Sequence, residues 1–316
     1  MSHAHDNRGR AVLAVLGGVG VASIQDAVMK SFSGLYPAYE AVILRGLSAA
    51  LVLALWLWIS GQWRSLRTPH LALVLARSLI MCSAYFSYIM ALAVLPMANA
   101  VSIYFTMPFF VAALAGYFLG ETVRAHRWLA IIIGFSGVLL MLRPQRGGIE
   151  PAALMAFYSA FGYAVSQMMG RHLSRRVHPA IIANWQNTVY LAVALVMAGL
   201  VMALGSPETS NKSLAFLTRA WVTPTAFDLA LMLFMGVLAG LGIMFFITAY
   251  RSAEASFVAP FEYSGMIWAL LFGVGLFGDY PDRRMLMGAA LIIGAGLFMV
   301  WRDQRRPQAA TPQATG

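Results

Sequence analysis

The chain has 316 residues, of which 60% are hydrophobic and 11% charged, and its formal net charge is +10. A soluble domain is about a quarter charged and roughly half apolar, so this composition excludes an ordinary water-soluble fold. The arginines stand between apolar blocks instead of gathering on one face, which excludes a nucleic-acid footprint and fits the basic loops of a membrane protein.

The apolar blocks run for about 17–25 residues, the length a helix needs to cross roughly 30 Å of hydrocarbon. They predict ten spans, near 11–29, 35–59, 70–91, 98–119, 128–142, 151–170, 180–204, 226–248, 256–277 and 284–301. The opening MSHAHDNRGR and its apolar run resemble a secretory signal. No A-x-A cleavage site follows and the run is the first of many, so residues 1–10 read as a cytoplasmic tail before a retained span.

The hairpin of the first two spans, QDAVMKSFSGLYPAYEAVILRG, carries Asp26, Lys30, Glu40 and Arg45, with Ser33, Gly34 and Pro37 at its turn. Charge inside a bilayer is costly and usually functional. Asp26 is expected to meet Arg45 across the two helices, and Lys30 to snorkel to the outer water interface. On the third span Arg77, Met81, Tyr85 and Tyr88 share one helical face. Asn99, Ser102 and Thr106 do so on the fourth, followed by Tyr104. Ser159, Tyr163, Ser166 and Gln167 form the stripe of the sixth, and Asn184, Asn187 and Thr188 that of the seventh. Glu262 and Tyr263 lie in the ninth, Glu262 at the depth of Arg77, and the two charges are expected to face one cavity as a pair. Four such stripes predict a polar interior, although a single polar residue is commonly interhelical glue.

Thirteen of the 22 lysines and arginines fall in alternate segments with the N-terminus, seven in the others, and Arg45 and Arg77 within spans. The bias places both termini in the cytoplasm. Cys82 is the only cysteine, so no internal disulfide forms.

Enzymatic readings find little support. A phosphate-cradling loop needs GxxxxGK[ST], and neither lysine, Lys30 or Lys212, has that context. Movement is therefore expected to draw on a gradient, a coupled proton or exchange. Gly18-Val19-Gly20 echoes a dinucleotide fingerprint but lies inside one apolar helix, where small residues serve packing. Gly134-Phe-Ser-Gly137 resembles a membrane serine-protease motif, yet the six histidines sit in the tail or near loops, leaving the serine without a base. No H-E-x-x-H occurs, and the expectation is no catalytic residue, no metal and no cofactor.

The two halves resemble each other. PMANAVSIYFTMPFF leads to GYFLGETV and RWLAIIIGFSGVLLMLR, and RSAEASFVAPFEYSG leads to VGLFGDYP and RMLMGAALIIGAGLFMVWR. Each unit has an A-x-A start (Ala98/Ala100, Ala253/Ala255), a Gly–acid pair (Gly120–Glu121, Gly278–Asp279), a glycine-bearing last span and a closing arginine (Arg143, Arg302). With five spans per half, the second unit must enter the membrane inverted. These motifs resemble the drug/metabolite transporter superfamily, in particular its ten-span members with two EamA-type halves. The resemblance implies an all-α integral membrane protein of ten transmembrane helices in two inverted five-helix repeats, 11–143 and 151–302. Residues 144–150 would be a linker and 303–316 a disordered cytoplasmic tail.

The D-x-x-x-K and E-x-x-x-x-R of the opening hairpin are similar to uptake members that carry riboflavin or S-adenosylmethionine, while APFEY in the second half departs from some relatives. The expected protein is a multi-pass carrier of the inner membrane, with riboflavin uptake as the first reading. S-adenosylmethionine-type uptake, amino-acid or drug efflux, and a non-transporting receptor or assembly protein are the alternatives. Arg45 and Arg77 are candidates for anionic or carbonyl groups of the solute. Asp26 and Glu262 are candidates for cationic groups or a coupled proton. Tyr85, Tyr88, Tyr104, Tyr163, Tyr263, Asn99, Gln167 and Asn187 complete the candidate lining. Direction and oligomeric state are left open.

Overall fold

The structure is a computed structural model that describes residues 8–119, 125–142, 150–173, 176–207, 209–253 and 255–304. Gly120, Glu121, residues 144–149 of the linker, most of both tails, and Arg124, Arg143, Arg146, Arg175, Arg305 and Arg306 of the charge count lie outside the described residues.

Among the described residues every regular element is helical: α1 (Arg8–Phe32), α2 (Ala38–Ile59), α3 (Leu71–Val94), α4 (Met97–Tyr104), α5 (Met107–Leu119), α6 (Ala125–Leu142), α7 (Pro151–Leu173), α8 (Pro179–Leu204), α9 (Lys212–Thr218), α10 (Ala226–Ser252), α11 (Ala255–Glu262), α12 (Gly265–Phe277) and α13 (Arg283–Gln304), with a 3-10 turn at Gln62–Ser65. Local chemistry sets many ends. Pro151 and Pro179 open α7 and α8, where the missing N–H costs nothing. Asn211 and Thr225 cap α9 and α10 by accepting from Leu214 N and Asp228 N. Gly278 stops α12 in the left-handed conformation at φ 65°.

Eight of these helical stretches are long and apolar enough to cross a membrane. The apolar part of α6, Ala125–Met141, is shorter, and α7 carries the polar stripe of Ser159, Tyr163, Ser166 and Gln167.

The main departure from the expected spans is at 98–119 and 256–277, which are not continuous helices. Each is an eight-residue helix, a two-residue break and a thirteen-residue helix. The breaks fall at Phe105–Thr106 and Tyr263–Ser264, 158 residues apart. Pro108 has no N–H to offer the carbonyl of Tyr104, which favours an interruption at this point. At the second break Tyr263 and Ser264 donate to Pro260 and Phe261, three residues back, and Gly265 starts the next helix.

The helices pack as α1 on α10, α3 on α7, α6 on α13, and α2 between α8 and α10. Glycines permit the closest approaches. A Cβ on Gly236 of α10 would land on the Arg45 carbonyl and Ser48 Oγ of α2, and Ser48 Oγ donates to Leu233 O at 2.7 Å. On the other side of α2, Asn187 Nδ2 donates to Gly46 O at 3.0 Å. The backbone beside Arg45 is thus clamped from two sides.

The connection 205–225 lies over the ends of α2 and α3. Ser213 Oγ donates to Met90 O at 2.9 Å, Tyr39 OH to Arg219 O at 2.9 Å, and Val222 N to Glu40 Oε2 at 3.1 Å. Glu40 is fully buried there.

Replacing Gly236 by alanine is expected to force α10 from α2 and to cost about 1–3 kcal/mol. The midpoint of thermal unfolding in detergent should fall by several degrees, while Gly199→Ala, whose Cβ meets open space, should leave it unchanged. Equal midpoints for the two variants would contradict the α2–α10 contact.

Candidate functional site

Three helices with consecutive roles in the chain bring the intramembrane charges together. Asp26 lies six residues before the end of α1, Arg45 seven residues after the start of α2, and Tyr88 six residues before the end of α3. At 1.5 Å per residue each stands roughly 10 Å in from the same end of the bundle. Tyr88 OH donates to Asp26 Oδ2 at 2.8 Å. Arg45 Nη1 donates to Tyr85 OH, and the guanidinium centre lies 4.8 Å from the ring centroid of the same tyrosine. The two charges are close enough to interact through the interior, but what fixes their positions is a pair of phenols from α3. That arrangement replaces the direct Asp26–Arg45 match expected from the sequence.

Aromatic rings extend both poles. From Asp26 they run Tyr88, Tyr104 and Tyr163, with centroids 5.2 and 5.5 Å apart. Gln167 Nε2 donates to Tyr163 OH at 3.2 Å, one helical turn away. From Arg45 they run Tyr85 and Tyr190, stacked at 5.3 Å with 19° between their planes. Asp26, Arg45, Tyr85, Tyr104 and Tyr163 are only half-buried. Contacts of this kind contribute about 0.5–1.5 kcal/mol each beyond area burial, enough to hold a flat ring when several act together.

Arg77 lies about two turns before Tyr85 on α3. Its Nε donates to Ser166 O at 3.2 Å and its Nη1 to Gln186 Oε1 at 2.7 Å, so neutral groups on α7 and α8 orient it. The expected partner, Glu262, ends α11 at the second helix break, half-buried beside Tyr263. Tyr263 is buried and packs its ring 5.2 Å from Phe105, so the two breaks touch. Its hydroxyl sits where a Cβ on Gly296 of α13 would be. Asn99, on α4, keeps a buried Oδ1 without a protein partner. Asn187 joins α8 to α2 through its bond to Gly46 O.

The sequence reading missed Tyr190, Gln186 and Phe105. Gln186 and Tyr190 are one turn apart on α8, and Tyr190 follows Asn187 by three, so the face they share was available as a spacing. Lys30 was misplaced. It does not snorkel to water but donates inward to Leu92 O at 3.2 Å and Leu95 O at 2.6 Å, and pairs with Asp279 Oδ2 at 3.6 Å. The carbonyls ending α3 have no helical partner and attract a cation, which outweighs an excursion to the interface.

Comparison with known proteins identifies the family. The EamA-like transporter family matches residues 9–143 and again 150–301. An S-adenosylmethionine uptake transporter of Rickettsia felis is 24% identical over 90% of this chain and 90% of its own. A riboflavin transporter of Rhizobium johnstonii is 32% identical over 220 residues, 70% of this chain and 67% of its own. One solved crystal structure, 18% identical, superimposes with a TM-score of 0.63 over 95% of this chain and 99% of that one, which shows a shared fold.

A double-mutant cycle of Asp26→Asn and Tyr88→Phe, read by thermal unfolding, is expected to return a coupling of about 1–3 kcal/mol, as for a hydrogen bond to a charged group. A coupling near zero would contradict the Asp26–Tyr88 bond.

Proposed function

The chain belongs to the EamA-like transporter family, and on that premise we propose that it is an inner-membrane secondary carrier importing a ring-bearing metabolite. The observation that carries the reading is the convergence of tyrosines on Asp26 and Arg45 inside the bundle. The carrier is built from two inverted halves, 11–143 and 151–302, giving ten spans with both termini cytoplasmic. The two broken helices, equal in their parts and 158 residues apart, support that reading. Discontinuous helices meeting near midplane are where inverted-repeat carriers hold their solutes.

Binding would begin with the flat ring entering between Tyr104, Tyr88 and Tyr85. Arg45, already held by Tyr85, offers its remaining donors to a carboxylate or carbonyl. Asp26 offers its second oxygen to a cation, and Glu262 and Arg77 stand deeper for the opposite side of the cycle. Rocking of the halves would then expose the solute to the cytoplasm, driven by the solute gradient, a coupled proton or exchange.

Riboflavin, the substrate expected from the sequence, is favoured by the aromatic wall. S-adenosylmethionine is favoured by the paired poles, because it combines an adenine ring with a sulfonium, an ammonium and a carboxylate. Uptake of both labelled solutes into proteoliposomes separates the readings. If the poles select, S-adenosylmethionine accumulates and Asp26→Asn or Arg45→Gln slows it by about 10–100-fold, the factor for one lost charge-assisted bond. If the ring selects, riboflavin accumulates and Tyr104→Leu slows it more than Asp26→Asn. Movement of neither solute in either direction would sink both substrate readings.

A further inference from the structure

One cluster of charge lies outside the solute space, at the end of the bundle that holds the α1–α2 turn. Lys30, near the end of α1, is held by the carbonyls of Leu92 and Leu95 at the close of α3. Its ammonium also lies 5.3 Å from the ring centroid of Phe277, the last residue of α12, and 3.6 Å from Asp279 Oδ2 just beyond it. The same carboxylate oxygen accepts from Met97 N, the first residue of α4, at 3.2 Å. One carboxylate from the second half therefore caps a helix of the first half and pairs with a lysine of the first half. Side-chain exposures of 11% for Lys30 and 23% for Asp279 keep the pair partly out of water, where Coulomb attraction is less screened than at an open surface.

The cluster is joined mechanically to the helix breaks. From Met97 the contact of α4 with α12 runs inward: Ser102 Oγ donates to Met266 Sδ at 3.4 Å, and a Cβ on Gly265 would meet the Phe105 ring at 3.0 Å. Tyr104, at the far end of α4, is part of the aromatic lining. An eight-residue helix is a rod of about 12 Å, so displacing its capped end displaces its ring-bearing end.

We infer that Lys30 and Asp279 are gating residues of the transport cycle: their bridge holds the α1–α2 end of the bundle shut and must break before solute reaches the tyrosine-lined space from that side. The inference rests on the proposed carrier function, and it adds a residue pair that touches no solute. Opening that end separates α4 from α12, which removes the cap on Met97, the bridge to Lys30 and the ring contact of Phe277 together.

Two measurements on reconstituted full-length protein test it. In the first, Cys82→Ser removes the native thiol and Asn99→Cys on α4 reports access to a membrane-impermeant maleimide. Lys30→Gln and Asp279→Asn are each expected to raise the labelling rate about fivefold, as for loss of a partly buried ion pair. Rates within twofold of the parent in both variants would overturn the inference. In the second, Met97→Cys with Gly273→Cys places two Cβ atoms 3.8 Å apart, the usual spacing across a disulfide. Oxidation should abolish flux of the transported solute and reduction should restore it. Full flux with the disulfide formed, verified by mass spectrometry, would equally overturn the gate. If no solute moves in any variant while labelling still responds to Lys30→Gln, the gate stands and the substrate assignment fails.

Discussion

Lipid offers no partner to a charge or to an interrupted helix, so each must be satisfied by the protein itself. Most of what is distinctive in this structure follows from that constraint. Asp26 is held by the Tyr88 hydroxyl, Arg45 by Tyr85, Arg77 by a backbone carbonyl and the Gln186 amide, and one oxygen of Glu40 by the Val222 amide. All of these partners are neutral dipoles. A dipole solvates a charge without cancelling it, whereas an ion pair consumes both members. The interior charges are thereby kept in low dielectric without a direct ion pair, which would suit the proposed binding and release of a solute. At Lys30 and Asp279 the arrangement is the other one, a cation paired with an anion, and it lies at the end of the bundle, apart from the tyrosine cluster.

The same constraint governs the broken helices. Interrupting a membrane helix exposes carbonyls at one side and amides at the other, and only a protein-lined or wet interior tolerates them. The breaks at Phe105–Thr106 and Tyr263–Ser264 face each other across the Phe105–Tyr263 contact. Each therefore shields part of the other's exposed backbone, and α4 and α11 end beside the breaks at Tyr104 and Glu262.

How much of this was legible in the sequence depends on what each feature requires. Helical class and membrane insertion follow from block length and composition alone, and the polar stripe of Tyr85 and Tyr88 follows from spacing. The internal correspondence was carried by Ala98, Ala100, Gly278 and Asp279, residues whose roles are backbone approach and capping. The breaks were not legible. PMANAVSIYFTMPFF keeps its apolar character through Phe105 and Thr106, and Pro108 is compatible with the first turn of a helix as well as with an interruption. Partner identities were also out of reach. Asp26 and Arg45 lie on adjacent helices, so pairing them was natural, but the rotation of α3 that inserts Tyr85 and Tyr88 is set by the α3–α7 packing across Gly162 and Ala84, far away in the chain.

Division of two spans into short and long rods has a mechanical consequence. A continuous helix of about 21 residues pivots only at its ends, and any tilt that opens one face of the bundle moves its midpoint little. An eight-residue rod hinged at its inner end can tilt by itself, and its motion is felt where the hinge lies. In this chain the hinge carries Tyr104 and Phe105, and the free end carries Met97 under Asp279. In the proposed cycle, access at one end of the bundle and the shape of the aromatic lining would be two readings of one displacement. A carrier needs that linkage, because a solute must change the state of the gate without touching it.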